Sequence, residues 1–181
     1  GLYGRLGHGD EQNQLQPKKV EAFTSRAVLA VSAGEYHNLA LTADGAVWSW
    51  GSGIGGMLGH GDGQHQLLPK KIESLAGKRV VAVSAGFAHS LAITADCAVW
   101  SWGYGSRGQL GHGDRQDQLE PTKVEALAGQ RVIAVAAGWT TSLALTADGG
   151  VWSWGAGEGG TLGHGDGHDQ RLREKLGALS A

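Results

Sequence analysis

The chain has 181 residues and a mass of 18.7 kDa, with 32 glycines but only 3 prolines, 7 tryptophans and 1 cysteine. Glycine at about 18%, against a usual share near 7%, excludes a collagen when proline is this scarce, and 41% hydrophobic residues are enough for a packed core. With 15 Lys and Arg against 17 Asp and Glu, the net charge of -2 lacks the basic stripe of a phosphate-tracking nucleic-acid binder, and neither nucleic acid nor a membrane is expected as a partner.

One 52-residue unit, taken in chain order, contains four short segments of strand character. A brief one is predicted at Lys71–Glu73, a β-branched run at Val80–Ser84, a third at Leu91–Thr94, and a fourth at Ala98–Trp102 with aromatic residues at alternate positions. Turn residues separate them: Ala-Gly at 85–86, Ala-Asp-Cys at 95–97, and a glycine-rich stretch from Gly103 to Gly113. Asp44-Gly45 and Asp148-Gly149 read as two-residue hairpin turns, and Cys97 stands in the place of those two glycines. Helical periodicity is absent except over Arg173–Ala181, which is predicted as the one helical candidate.

The unit repeats without insertion or loss. Leu-Gly-His-Gly-Asp occurs at 6–10, 58–62, 110–114 and 162–166, and the block Ser32–Gly51 recurs at Ser84–Gly103 and Ala136–Gly155. The repeat units run approximately 1–52, 53–104 and 105–156, with an incomplete one at 157–181. Four strands per unit at this period predict an all-β fold: a β-propeller of four-stranded antiparallel blades, about three and a half repeats long.

These residues resemble the regulator of chromosome condensation repeat family. The resemblance is carried by the G-x-x-G-x-L-G-H-G-D loop, the Pro-x-x-V/I-E strand, and the V-A-V-S-A-G…H-S-L-A-L-T-x-D-G…V-W-S-W-G block, which together cover essentially the whole chain. It implies a seven-bladed propeller, of which this chain is expected to be a segment with self-association through open blade edges, and functions as varied as nucleotide exchange on small GTPases, ubiquitin-ligase modules and ultraviolet-B reception. The fold does not choose among these.

The candidate residues divide into repeated and variable ones. His8, His60, His112 and His164, each two residues before Asp10, Asp62, Asp114 or Asp166, are expected to shape turns: rotational symmetry spreads them around a ring instead of converging them on a metal. The pairs Trp48/Trp50, Trp100/Trp102 and Trp152/Trp154 lie two apart, share a face and are expected between blades. The G-x-G-x-x-G copies at 51–56, 103–108 and 155–160 open no helix, so no dinucleotide site is expected. Variation concentrates at Glu35, Tyr36, Phe87, Ala88, Trp139 and Thr140, in the loop where a propeller presents a flat face, and this is the expected partner-binding face. A second variable surface, the loop after the pentapeptide, contains Gln14, Gln66, Arg115, Asp117 and His168 as candidate rim residues.

No nucleophile with convergent His and Asp partners emerges, so neither an enzyme nor a cofactor or metal is expected. The expected function is a non-catalytic scaffold that binds a protein partner, such as a small GTPase or a ubiquitin-pathway component, across a propeller face. Guanine-nucleotide exchange is the alternative, although the unbroken 52-residue step leaves no inserted hairpin to act on the nucleotide site. Ultraviolet-B reception ranks third, because the one Gly-Trp pair of this loop, Gly138-Trp139, lacks the arginines and further tryptophans of a photoreceptor cluster. The lone Cys97 suits a reducing compartment, cytoplasm or nucleus, and no signal peptide is read from the opening residues.

Overall fold

Residues 1–164, and the backbone of 170–175, are described by a computed structural model of the chain. Among the described residues, twelve strands form three antiparallel sheets, each ordered as in the sequence. The first contains β1 (Val28–Ala33), β2 (His37–Thr42), β3 (Val47–Gly51) and β4 (Gln66–Lys71). The second contains β5 (Val80–Ala85), β6 (His89–Thr94), β7 (Val99–Gly103) and β8 (Gln118–Lys123). The third contains β9 (Val132–Ala137), β10 (Thr141–Thr146), β11 (Val151–Gly155) and β12 (Gln170–Lys175). The first strands β1, β5 and β9 are neighbours across sheets, so the sheets fan outward from that side as consecutive blades of a β-propeller.

Two segments differ from expectation. The strand predicted at Lys71–Glu73 lies earlier, at Gln66–Lys71, and Glu73–Leu75 forms a turn of 3₁₀ helix. This strand pairs backward onto β3, with Trp48 opposite Lys71 and Gly51 opposite Gln66. Each sheet therefore straddles two sequence repeats, closing its fourth edge with the six-residue segment of the next unit that starts at Gln66, Gln118 or Gln170. Helix is also wrong for 173–175: Gln170–Lys175 is β12, held opposite β11 by the same ladder, and pairing to an open edge outweighs a weak local preference for helix. Residues 176–181 of that prediction lie outside the described residues.

The strand ends define two faces. On one, here the loop face, lie the β1–β2, β5–β6 and β9–β10 turns and the glycine-rich loops; on the other, the hairpin face, lie the Thr-Ala-Asp turns and the 3₁₀ connectors. Between the blades sit two apolar seams. Leu39, Leu41 and Val47 of the first blade meet Ile72, Leu75, Ala92 and Trp102, and Leu91, Ile93 and Val99 of the second meet Val124, Leu127, Ala144 and Trp154. On the outward face of the third blade, Leu143 is 39% exposed, where its equivalents Leu39 and Leu91 are fully buried beneath the next blade.

The hairpin turns share one device. The Thr42, Thr94 and Thr146 hydroxyls donate to Asp44, Asp96 and Asp148 at 2.6, 2.5 and 2.5 Å. That bond first, and the turn's backbone N–H second, holds the Asp44 carboxyl below the usual carboxylate range. The residue after the aspartate has positive φ: +80° at Gly45, +82° at Gly149, and +64° at Cys97. Cys97 therefore carries a Cβ in the left-handed region, where the conformation costs about 1–3 kcal/mol. Cys97→Gly should raise stability in urea by about 1 kcal/mol, the relieved strain exceeding the freedom that glycine adds to the unfolded chain. A lower unfolding midpoint would contradict that assignment.

Candidate functional site

The variable positions of the loop face come together in space. Each first turn is closed by a backbone bond, Gly34 N–H to His37 O, Gly86 N–H to His89 O and Gly138 N–H to Thr141 O, at 2.8 to 2.9 Å. Neighbouring turns also touch: the Phe87 amide donates to Gly138 O at 3.0 Å, and a Cβ on Gly86 would fall 2.4 Å from that same oxygen, so only glycine permits the approach. The side chains that follow form a row, Tyr3 on Tyr36 and Tyr36 on Phe87 edge to face and Phe87 on Trp139 tilted. Ring centroids are 6.4 Å apart for Tyr3 and Tyr36, 5.1 Å for Tyr36 and Phe87, and 5.2 Å for Phe87 and Trp139. Tyr36 and Phe87 are half-buried, and Trp139 is 71% exposed.

Beside this row runs a groove of about 340 Å³, reaching from Tyr3 to Thr140. Its opposite wall is Ile54 and Tyr104, and its floor is Met57, Ala88 and Gln109. Of the predicted face, Tyr36, Phe87, Trp139 and Thr140 line the groove, and Glu35 lies on the axial side of the row, exposed, beside Gly34 and Gly86. Tyr3, Ile54 and Tyr104 were missed. They were visible as departures from the repeat within the glycine loop, where Gly-Ser-Gly-Ile-Gly-Gly becomes Gly-Tyr-Gly-Ser-Arg-Gly.

The rim candidates are not brought to the groove. Gln66 opens β4 opposite Gly51, and Gln14 and Arg115 are exposed. Asp117 accepts the Gly105 amide at 2.8 Å, as His65 Nδ1 accepts that of Gly53 at 3.1 Å, which gives this variable position an architectural bond. His168 and Asp166 lie outside the described residues.

The repeated candidates are engaged in the framework. Asp10, Asp62 and Asp114 accept the amides of Gln12, Gln64 and Gln116 at 3.0 to 3.1 Å, each closing a turn. Ser49, Ser101 and Ser153 donate to the carbonyls of Leu58, Leu110 and Leu162, and therefore accept from Nε2 of His60, His112 and His164 at 3.0, 2.9 and 2.8 Å. His8, in the equivalent place, is half-buried. Burial first, and Lys70 second, pushes the His60 pKa down to about 4, and burial lowers that of His112. Trp50, Trp102 and Trp154 are buried, and Trp48, Trp100 and Trp152 are half-buried on the same strands.

A second serine relay crosses each seam. Ser90 donates to Met57 O at 3.0 Å and Ser142 to Gln109 O at 2.7 Å, so their oxygens accept from Nε2 of His37 and His89 at 2.7 and 2.9 Å. This places the proton of both imidazoles on Nε2, leaving Nδ1 buried without a partner. Burial first, then repulsion from His89, lowers the His37 pKa to about 3, and burial lowers that of His89 to about 4. These are neutral core groups, and Thr141 takes their place in the third blade.

A β-propeller whose variable residues gather on one face defines the class. The regulator of chromosome condensation (RCC1) repeat matches residues 1–41, 44–93 and 97–145, and a second profile of the same repeat matches 80–109 and 132–160. The chain belongs to this family. It is 38% identical over 180 residues to the ultraviolet-B receptor UVR8 of Arabidopsis thaliana, covering 99% of this chain and 41% of that protein. With the E3 ubiquitin-protein ligase HERC2 of Homo sapiens it shares 44% over 167 residues, 91% of this chain and 4% of the ligase. Prp20p of Saccharomyces cerevisiae, a structure studied with its binding to Gsp1p and histones, superposes with a TM-score of 0.79 at 25% identity, covering 98% of this chain and 44% of that one. The chain thus spans less than half the length of each of these relatives.

The two buried imidazoles make stability depend on acidity. Unfolded, they protonate near 6.5, and folded, only near 3 and 4. Between those limits the unfolded chain binds more protons. Stability present above pH 6.5 is therefore lost as pH falls toward 4, at up to about 1.4 kcal/mol per pH unit for each histidine. The urea midpoint should drop between about pH 7 and about pH 5, and His89→Thr should remove one histidine's part of that slope. A midpoint that stays flat over this interval would show that the imidazoles are not held neutral.

Proposed function

We propose that the chain is a non-catalytic interaction scaffold that binds a protein partner across its loop face. The observation that carries this is the row Tyr36, Phe87 and Trp139: large aromatic side chains at the positions where the repeats vary, in edge-to-face and tilted contact along an open groove and not buried in a seam. Exposed aromatic residues beside a groove are the usual anchors of protein interfaces. The groups that would suggest catalysis, the His-x-Asp pairs and the two core histidines, are hydrogen-bonded into turns and seams.

A small GTPase and a ubiquitin-pathway component are the partner classes that the likenesses to Prp20p and HERC2 support. Nucleotide exchange is the second reading, favoured by the likeness to Prp20p; accelerated nucleotide release from a GTPase panel would establish it. Light reception has less support, since Trp139 is the one tryptophan of the row and Tyr36 and Phe87 occupy the equivalent places. No described helix is long and apolar enough to cross a membrane; the reading of a nuclear or cytoplasmic protein is supported by the single cysteine, Cys97, which suits a reducing compartment. The outward apolar face of the third blade, with Leu143 and Leu145 exposed, supports a second contact, to another blade of the same repeat in a further copy.

A photo-crosslinking residue at position 139 should label a partner that one at Lys78, on the hairpin face, does not. After identification and purification, that partner should bind Trp139→Ala at least about tenfold more weakly, as expected for an interface anchor. Labelling only from position 78, or an affinity unchanged by Trp139→Ala, would overturn the proposal.

A further inference from the structure

We infer that the groove seats an extended segment of the partner that carries arginine and lysine, with its cationic side chains laid on the rings of Phe87 and Trp139. This rests on the loop face being the interaction face and adds the chemistry of what it binds.

The chain already contains one instance of the contact. The Arg5 guanidinium lies over the Tyr36 ring, 5.9 Å from its centroid, tethered by a bond from Nη1 to Glu35 O at 2.9 Å. Tyr36 is the rung that follows Tyr3 in the row at the groove, and its cation comes from the chain itself. The next two rungs, Phe87 and Trp139, have no cation over them among the described residues; the other cations over rings, Arg26 on Trp48 and Lys78 on Trp100, belong to other parts of the fold. The rungs are spaced 5.1 and 5.2 Å apart. Side chains two apart on an extended strand are separated by about 6.5–7 Å, so alternate residues of a strand laid along the row reach successive rungs.

The charge of the two faces points the same way. On the loop face and its rim, Asp10, Glu35, Asp62, Asp114, Glu120 and Glu158 lie within the loops or beside them. Of the cations there, Arg107 is bridged to Glu158 at 2.9 Å, Arg5 is tethered over Tyr36, and Arg115 is exposed next to Asp114 in the loop before β8. Lysines and arginines gather instead on the hairpin face, where Lys71, Lys78, Arg79, Lys123 and Arg131 line the two clefts beneath the Asp44 and Asp96 turns and outnumber the carboxylates beside them, Glu73 and Glu125 being paired with Lys71 and Lys123. The overall charge of -2 therefore conceals two faces of opposite sign. An acidic face with an uncovered aromatic row attracts a cationic segment, repels phosphates, and leaves an acidic peptide without a counter-charge.

The test uses the full chain and three fluorescently labelled peptides of equal length, alternating Arg-Ala, Glu-Ala and Ser-Leu. The Arg-Ala peptide should bind, quench the exposed indole of Trp139, and lose affinity as salt rises. Trp139→Ala, at an exposed position that leaves the seams intact, should weaken it about tenfold, and Glu35→Lys should weaken it in low salt more than in high. Lys78→Ala on the hairpin face should not. Binding of the Ser-Leu or Glu-Ala peptide that equals that of Arg-Ala and depends on Trp139 would overturn the cationic occupant while leaving the interaction face standing. Peptide binding that ignores Trp139 would overturn the inference outright, and if position 139 also fails to crosslink a partner, the interaction face falls with it.

Discussion

Each blade is joined through one backbone oxygen to the glycine loop that opens its own repeat unit. Met57 O accepts from the Trp102 indole and from the Ser90 hydroxyl, both at 3.0 Å. Gln109 O accepts from Trp154 and Ser142, both at 2.7 Å, and Arg5 O from Trp50 and Asn38 at 3.1 and 2.7 Å. A carbonyl with both lone pairs engaged is satisfied in a place that water does not reach. The serine then accepts from the histidine of the previous blade. One oxygen thus sets the position of a loop, the middle strands of the following blade and the seam between two blades.

The groove inherits its shape from that arrangement. Met57 and Gln109, whose carbonyls take these bonds, form its floor. The histidines that complete the relays start the strands directly after Tyr36 and Ala88, so the row of rings is aligned by the same bonds that close the seams. A surface ordered in this way loses little conformational freedom on binding, which favours affinity. Apolar burial contributes the larger part of each seam's stability, while the polar relays fix its register.

Much of this was legible in the residues. The 52-residue step predicted blades, the Val-Trp-Ser-Trp block predicted their third strands, and the variation at 35–36, 87–88 and 139–140 pointed to the loop face. The fourth strand was not legible: Gln-Leu-Leu-Pro-Lys-Lys has no strand pattern of its own and becomes β4 because β3 offers an open edge. The three-residue preference for helix at 173–175 gave way for the same reason. The far wall of the groove was missed because Ile54 and Tyr104 lie inside loops dominated by glycine, where a change of side chain reads as noise unless copies are compared position by position. Charge was misleading in another way: a net value near zero says nothing about segregation between two faces, which needs the topology that places hairpin turns opposite glycine loops.

The shared carbonyl is tested most directly by a double-mutant cycle in urea at the second blade, with Trp102→Phe, Ser90→Ala and the combination. The first single variant leaves the serine on Met57 O and the second leaves the indole, whereas the pair strips both donors from a buried oxygen. The account predicts a combined loss of stability that exceeds the sum of the single losses by about 1 kcal/mol. Additivity within about 0.3 kcal/mol would contradict it, and would mean that the two donors act independently and that apolar packing alone sets the seam.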